Sequence, residues 1–454
     1  MQVYEEHADL VEQVRRHLED DDEEGLLALL LTLRPADVAQ VVGQLPEGEP
    51  RARVLRLLEP EAAARVIEES TFDVQRDLLR QMSPERLQAV LDRMSQDDLA
   101  DLLGALPAAD ARALLSLIPE DAAALRQLLR YDPDTAGGIM TPEVVRLQET
   151  QTAAEALAAI RLAAPDAETV YYLYVTDKAG RLVGVVSLRQ LVVADPETPV
   201  SELMDRNVVS VPVDMDQEEV ARVLERYGLL ALPVINDRQV LLGVVTVDDV
   251  IDVLREEATE DISRLGATEP LEQPYLQTGF LSLVRARVFW LLLLFALQSI
   301  TITIMNHYQA ALESVIMLAF FIPLLIGTAG NAGGQAATLI IRAMAVGELG
   351  IHDFFRVLCR EAGVGLTLGV VMALASWVRA ALMGTPAAIG ATVAVTVVLV
   401  VFVASVVGGL LPLAIKRLRL DPAVAASPLI TTLADASGLI IYFTVAGWIL
   451  GIKV

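Results

Sequence analysis

The residues of this chain whose type and placement could do chemistry are mainly carboxylates. Asp435 lies inside PLITTLADASGLIIYF, an apolar stretch close to the C-terminal end. A charge at the centre of a membrane helix costs at least about 2.5 kcal/mol unless it is solvated or paired. A salt bridge to another apolar helix is the alternative, but no Lys or Arg falls in the middle of any apolar span; Arg379 is near an end and the other basic residues flank the spans. Asp435 therefore points to an ion pathway. Its neighbours Thr431, Thr432, Ala434, Ser437 and Gly438 are small or hydroxylated, so they let backbones approach closely and offer oxygen atoms. No His or Cys falls in the middle of a span beside the Asp, and an all-oxygen lining selects hard cations.

A second polar island, GTAGNAGGQAATLIIRA at 327–343, supplies Asn331, Gln335 and Thr338 in apolar surroundings. Its glycines suggest a break in the helix, of a kind tolerated at membrane depth where backbone lines water or is buried in protein. Asn and Gln also bond helices together, so packing is an equal alternative for each of them. Further acids crowd the front of the chain. TVDDVIDVLREEATEDI sets Asp249, Asp252, Glu256 and Glu260 along one helical face, and like charges four apart each cost a helix a few tenths of a kcal/mol. SQDDLADLL adds Asp97, Asp98 and Asp101, and MDQEEVARVLE adds Asp216, Glu218, Glu219 and Glu225. A solvated face is the usual explanation of any one such run.

The charge is unevenly split. Of 35 basic and 60 acidic residues, 10 and 7 fall in 271–454, leaving 25 and 53 in 1–270. So acidic a front excludes nucleic acid as a partner, since phosphates require Lys and Arg. The single cysteine, Cys359, allows no intrachain disulfide and no thiolate zinc site, and four scattered histidines make no imidazole-rich metal site. The beginning, MQVYEEHADL, lacks the basic-then-apolar pattern of a signal peptide, which predicts a cytoplasmic front half.

Several kinds of element must position these acids. Residues 1–130 read as an α-helical superhelix: LRPADVAQVV (33–42), LEPEAAARVI (58–67), MSPERLQAVL (82–91) and LIPEDAAALR (117–126) share an early Pro followed by an acid, as helix N-termini do. Residues 137–254 hold an α+β duplication. GIMTPEVVRL (138–147) answers LMDRNVVSVP (203–212), helices are expected near 152–162 and 216–227, and each copy ends in strand–turn–strand–helix, at 171–191 and 229–250. This looks like a tandem pair of CBS domains, which implies a sensor that often carries an adenine nucleotide or an ion. A charged helix and linker follow at 255–279. Residues 280–454 then read as an all-α membrane domain with five spans near 286–308, 313–342, 361–383, 388–415 and 425–451. Arg285, Arg287, Arg342, Arg356, Arg360, Lys416, Arg417 and Arg419 fall on one side, against Arg379 and Lys453 on the other. The bias puts the acidic head inside and the C-terminus outside. Trp290, Trp377 and Trp448 near the span ends suit an aromatic belt.

AGGIMTPE, TVDDVIDVL, EEATEDI, GTAGNAGGQAATLIIRA and DPAVAASPLITTLADASGLIIYF together resemble the MgtE family of magnesium channels, in the family's order and over nearly the whole chain. The resemblance implies a homodimer in the plasma membrane of the cell, with a Mg²⁺ pore between protomers. It makes Asp435 the selectivity residue, with the Thr431 carbonyl near the same ion. It implies a regulatory Mg²⁺ sensor drawn from Asp97, Asp101, Asp216, Glu218, Asp249, Asp252, Glu257, Glu260, Asp261, Asp421 and the backbone at Gly138. High internal Mg²⁺ would then close the path. The chain departs from the family pattern at Gly228 and Arg65, where acids are common, with Glu225 as a replacement nearby. It departs also at Ser427 and Gly334, where Asn is common, and at Gln190, which follows Arg189 where an Asp suited to a ribose is often seen. ATP at the CBS pair, contacted by Arg189, is a further expectation. An ion-coupled carrier of divalent cations is the main alternative. A membrane-anchored enzyme lacks any Walker loop or nucleophile elbow, and a chloride channel would need more than five helices.

Overall fold

A computed structural model describes all residues except 1, 120–121, 164–168, 272–274, 276–277, 419, 423–426 and 453–454. Arg419, Lys453 and the first two residues of the fifth expected span thus lie outside the described residues. The chain forms two compact units, Met1–Arg255 and Glu256–Val454.

Among the described residues the first unit opens with ten helices, α1 (Gln2–Glu19), α2 (Glu23–Leu30), α3 (Pro35–Gln44), α4 (Glu49–Leu57), α5 (Pro60–Glu68), α6 (Phe72–Gln81), α7 (Pro84–Leu91), α8 (Gln96–Ala105), α9 (Ala108–Leu115) and α10 (Ala122–Leu128). Pro35, Pro60 and Pro84 stand in first turns, where the missing N–H has no intrahelical partner to lose. Helix α3 packs on α5 and α5 on α7, while α4 packs on α6 and α6 on α8. The pairs of short helices are therefore stacked as two layers of a superhelix.

Two three-stranded sheets follow. Strands β1 (Val144–Gln148), β2 (Thr169–Thr176) and β3 (Leu182–Ser187) form one, and β4 (Val211–Pro212), β5 (Ala231–Ile235) and β6 (Leu241–Thr246) the other. In each, the first strand pairs parallel to the second and the second antiparallel to the third. The expected helices appear as α11 (Ala153–Ala163) and α14 (Gln217–Tyr227), with α12 (Leu188–Val193) and α13 (Val200–Leu203) between them. The repeats exchange their opening residues. Thr141 bridges Val244 of β6, and Asp205 bridges Val185 of β3. Gly243 and Gly184 make these crossings fit: a Cβ on Gly243 would lie 2.3 Å from the Thr141 carbonyl oxygen, and one on Gly184 2.5 Å from Met204 Sδ. Val38, Leu99, Leu125, Met140, Val211 and Val245 belong to one buried cluster, so the helical array and the second repeat share a core.

Helix α15 (Val247–Leu265) starts in the first unit and ends in the second. The second unit contains α16 (Phe280–His307), α17 (Gln309–Ser314), α18 (Ile322–Ala345), α19 (Phe354–Leu382), α20 (Ala387–Arg417) and α21 (Ser427–Leu450). Among the described residues five helical spans are long and apolar enough to cross a membrane, Ile316–Ala345 and Ile351–Leu382 including short 3₁₀ turns. The first begins at Phe280, earlier than expected, so Trp290 lies well inside it; its Nε1 donates to Glu269 Oε1 at 2.8 Å.

The expected break at GTAGNAGG is a correction. Helix α18 runs unbroken through it, and the irregular stretch lies earlier, in a 3₁₀ turn at Ile316–Phe321 just before Pro323. The glycines serve contact instead. A Cβ on Gly330 would lie 2.8 Å from Thr431 Cγ2, one on Gly333 2.8 Å from Ile430 Cγ2, and one on Gly408 of α20 2.2 Å from the Gly333 carbonyl oxygen. Tertiary packing here outweighs the low helix propensity of glycine. Because backbone cannot retreat as a side chain can, Gly408→Ala should destabilise the folded chain by about 1–3 kcal/mol. Gly363→Ala on α19, with nothing within 4 Å, should be neutral or mildly stabilising. Thermal unfolding of both variants in detergent checks this.

Candidate functional site

Asp435 sits on α21 with 3% of its surface exposed, and its Oδ1 has no hydrogen-bond partner among the described residues. Nearby, Ala434 packs with Ala329, Val400 and Ala404, and a Cβ on Gly438 would meet Val400 Cγ1 at 3.4 Å. One turn before Asp435, Thr431 fills the space left by Gly330. The other hydroxyls nearby are turned back on their own helix: Thr432 donates to the Pro428 carbonyl at 2.9 Å and Ser437 to the Leu433 carbonyl at 2.8 Å. They satisfy themselves as Ser and Thr commonly do within helices. On α18, Asn331, Gln335 and Thr338 all fall on the exposed side, and Thr338 bonds the Gly334 carbonyl at 2.9 Å.

The acids of the first unit divide into two sets. Some are engaged locally. Asp216 caps α14, its Oδ1 accepting from Glu218 N at 3.0 Å and Glu219 N at 3.4 Å. Glu218 pairs with Arg222, and Asp252 with Arg255 at 3.4 Å. Glu225 and Asp101 are exposed. Gly228 ends α14 in the left-handed conformation, φ 61° and ψ 39°, which explains a glycine there in place of an acid.

The other acids crowd together. At the N-terminus of α8, Asp98 accepts from Ser95 Oγ at 2.6 Å, and Glu68 at the end of α5 accepts from Ser95 N at 2.8 Å. Asp97 Oδ1 is buried with no partner among the described residues. Burial, with the charges of Asp98 and Asp97 adding to it, pushes the Glu68 carboxyl up to about 7. Burial and then Asp98 push Asp97 to about 6. Asp98 is raised by burial and by Asp248 and Asp252. Asp249 accepts from Thr246 Oγ1 at 2.5 Å and from Thr246 N at 3.4 Å, yet burial first, and then Asp97 and Asp248, push it to about 7. The helical array and the second repeat therefore bring like charges together around Asp97 and Asp249. Glu68 was not among the expected residues; its signal is an acid in the last turn of a helix, where the macrodipole favours a cation. Gly138, half-buried, could carry no side chain, since a Cβ would lie 2.4 Å from the Pro133 carbonyl oxygen.

In the second unit, Glu257, Glu260 and Asp261 are half-buried on α15. Arg264 pairs with both Glu260 and Asp421. Arg189 is exposed at the start of α12, beside Gln190, whose amide closes a capping box with Ser187 and donates to the Leu203 carbonyl at 3.1 Å. Among the described residues no three His, Cys, Asp or Glu side chains converge tightly enough to hold a metal ion.

A five-span unit with a buried carboxylate, one oxygen of which has no partner among the described residues, joined to a CBS pair and an acidic helical array, defines a membrane transporter of cations with a regulatory head. The comparisons agree. Residues 322–445 match the MgtE divalent cation transporter family, 33–134 the MgtE intracellular N domain, and 136–197 and 200–256 the CBS domain. The chain is 43% identical to the magnesium transporter MgtE of Thermus thermophilus over 96% of its own length and 98% of that protein's. It is 37% identical to the MgtE of Enterococcus faecalis over 72% of both. A crystal structure of the cytosolic domain of the Mg²⁺ channel MgtE in complex with ATP is matched over 54% of this chain and 99% of that one, at 43% identity and a TM-score of 0.52. The chain belongs to the MgtE family.

The raised carboxyls have a pH consequence. Glu68, Asp97 and Asp249 bind protons more tightly folded than unfolded, so their contribution is complete below about pH 4 and is lost as pH rises through about 6–7. In chelator, unfolding of the head within the full chain should move to lower temperature between pH 5 and pH 8. Glu68→Gln together with Asp97→Asn should flatten that slope, read by calorimetry or fluorescence.

Proposed function

We propose that this chain carries Mg²⁺ into the cytoplasm through a homodimeric channel in the plasma membrane, and that internal Mg²⁺ bound by the acidic head closes it. The observation that carries the reading is Asp435: a buried carboxylate with an unpartnered oxygen, in a five-span unit of a family whose relatives are named magnesium transporters. The carboxylate and the Thr431 backbone carbonyl would face the ion, which passes as a hydrated cation because Mg²⁺ sheds water reluctantly and prefers octahedral oxygen. Asp435 holds the ion through its waters, and the small side chains set the width.

Two features favour a pathway between protomers. None of the residues of α16 is buried within one chain, and Asn331 and Gln335 stand on the exposed face of α18. Polar amides on a surface facing hydrocarbon are costly unless protein or water covers them. Within each chain we divide the labour among a helical array at 1–130, a CBS pair at 137–254, a connecting helix and linker at 255–279, and a pore domain at 280–454. The bias of Arg and Lys supports a cytoplasmic head and an external C-terminus.

The sensing role rests on repulsion. Two carboxylates about 5 Å apart at an effective dielectric near 20 repel by roughly 3 kcal/mol. The crowding around Asp97 and Asp249, and the orphaned Asp97 oxygen, suit a divalent cation. Asp101, Asp216, Glu218, Glu225, Asp252, Glu257, Glu260, Asp261, Asp421 and the Gly138 backbone complete the candidate set. Mg²⁺ there binds the compact head better than the loosened one, and differential affinity is what a ligand-driven switch requires. ATP at the CBS pair, with Arg189 as a contact, is supported by likeness to a cytosolic domain solved with ATP. The engaged Gln190 amide argues that Gln190 itself does not hold the ribose.

Asp435→Ala should reduce Mg²⁺ uptake into liposomes to background while the protein stays dimeric and folded; uptake equal to wild type would remove the proposed pathway. Millimolar Mg²⁺ should also protect the head of the full chain from limited proteolysis, and cutting that ignores Mg²⁺ would sink the gating mechanism.

A further inference from the structure

Arg264 makes two ionic contacts at once. It pairs with Glu260 one turn back on α15 and with Asp421 in the connection between α20 and α21. The three side chains are 35%, 31% and 28% exposed, so water screens the contacts only in part. Leu265, the next residue, packs with the buried cluster of Ala337, Ile341 and Ile430. An apolar contact thus anchors the end of the helix independently of the ions. Remove the guanidinium, and two carboxylates from different elements face one another, the disposition that a divalent cation bridges. Arginine is well suited to hold that place in the cation's stead, because it is always protonated and its planar fork has enough donors for two carboxylates.

We infer that Arg264 is a tethered counter-ion at the Glu260–Asp421 pair, that Mg²⁺ must displace it, and that it thereby sets the Mg²⁺ concentration at which this pair is bridged. The inference rests on the reading of Glu260 and Asp421 as sensor acids. A competitor carried on the same helix is present at constant effective concentration, so it raises the threshold without consuming any ligand. It also offsets the mutual repulsion of the two carboxylates when Mg²⁺ is scarce.

The test is a Mg²⁺ titration of the full chain in nanodiscs, read by proteinase K cleavage between α15 and α16, since trypsin would lose a site in the variant. Arg264→Gln should lower the Mg²⁺ midpoint for protection by about three- to five-fold, the scale of a partly exposed ion pair. Arg264→Lys, which keeps the charge but not the fork, should fall between the two and guards against a folding defect in the glutamine variant. Adding Asp421→Asn to Arg264→Gln should return the midpoint to or above the wild-type value. An unchanged or higher midpoint in Arg264→Gln, with a wild type that responds, overturns the inference alone. A wild type whose cleavage ignores Mg²⁺ overturns the sensor reading and the inference with it.

Discussion

A carboxylate in an apolar helical unit without a cationic partner constrains everything packed near it. Among the described residues the Asp435 Oδ1 finds no partner, and the Thr432 and Ser437 hydroxyls nearby are already satisfied by carbonyls of their own helix. What remains is close approach of backbones, and glycine makes that approach possible. Gly330 admits Thr431, and Gly333 admits Ile430 while its carbonyl lies against Gly408. A side chain at Gly330 or Gly333 would press on α21 and the charge it carries, and one at Gly408 would press on α18. The small residues of α18 and α20 are therefore as much a part of the site as the acid itself.

The rest of the chain meets the same electrostatic problem in other ways. Asp216 hands its charge to backbone donors at a helix start. Glu218 and Asp252 use arginines on their own helices. Around Asp97 these remedies run out, and the carboxyls respond by holding protons near neutral pH. A proton and an arginine are thus alternative answers to one crowding of negative charge, differing in how readily they can be withdrawn.

Much of this was legible in residue order, because long apolar runs and paired Gly-containing strands have few other readings. The five spans, the stacked short helices and the duplicated sheet units all follow local patterns. GTAGNAGG misleads because glycine lowers helix propensity locally, whereas its role is decided by α20 and α21, more than sixty residues away. The acids were recognisable as acids, but their partners were not. Nothing near Glu68 in the chain announces Asp97, and nothing near Asp421 announces Arg264, since both meetings depend on how helices stack. Gly228 is the reverse case: an apparent loss of a ligand becomes a left-handed helix end once the backbone is seen.

The exchange of opening residues between the two CBS repeats bears on how this part of the chain melts and how it can evolve. Thr141 adds a bridge to the sheet of the second repeat and Asp205 one to that of the first, so each half loses an edge contact without the other. Such reciprocity ties the melting of one sheet to that of its twin, making the pair a single cooperative unit to amide hydrogen exchange. It also opposes piecemeal inheritance: a recombination that replaced one repeat would have to bring along the strand neighbour that only the other supplies. The duplication is therefore locked in, two copies of one motif that can drift in sequence but no longer part.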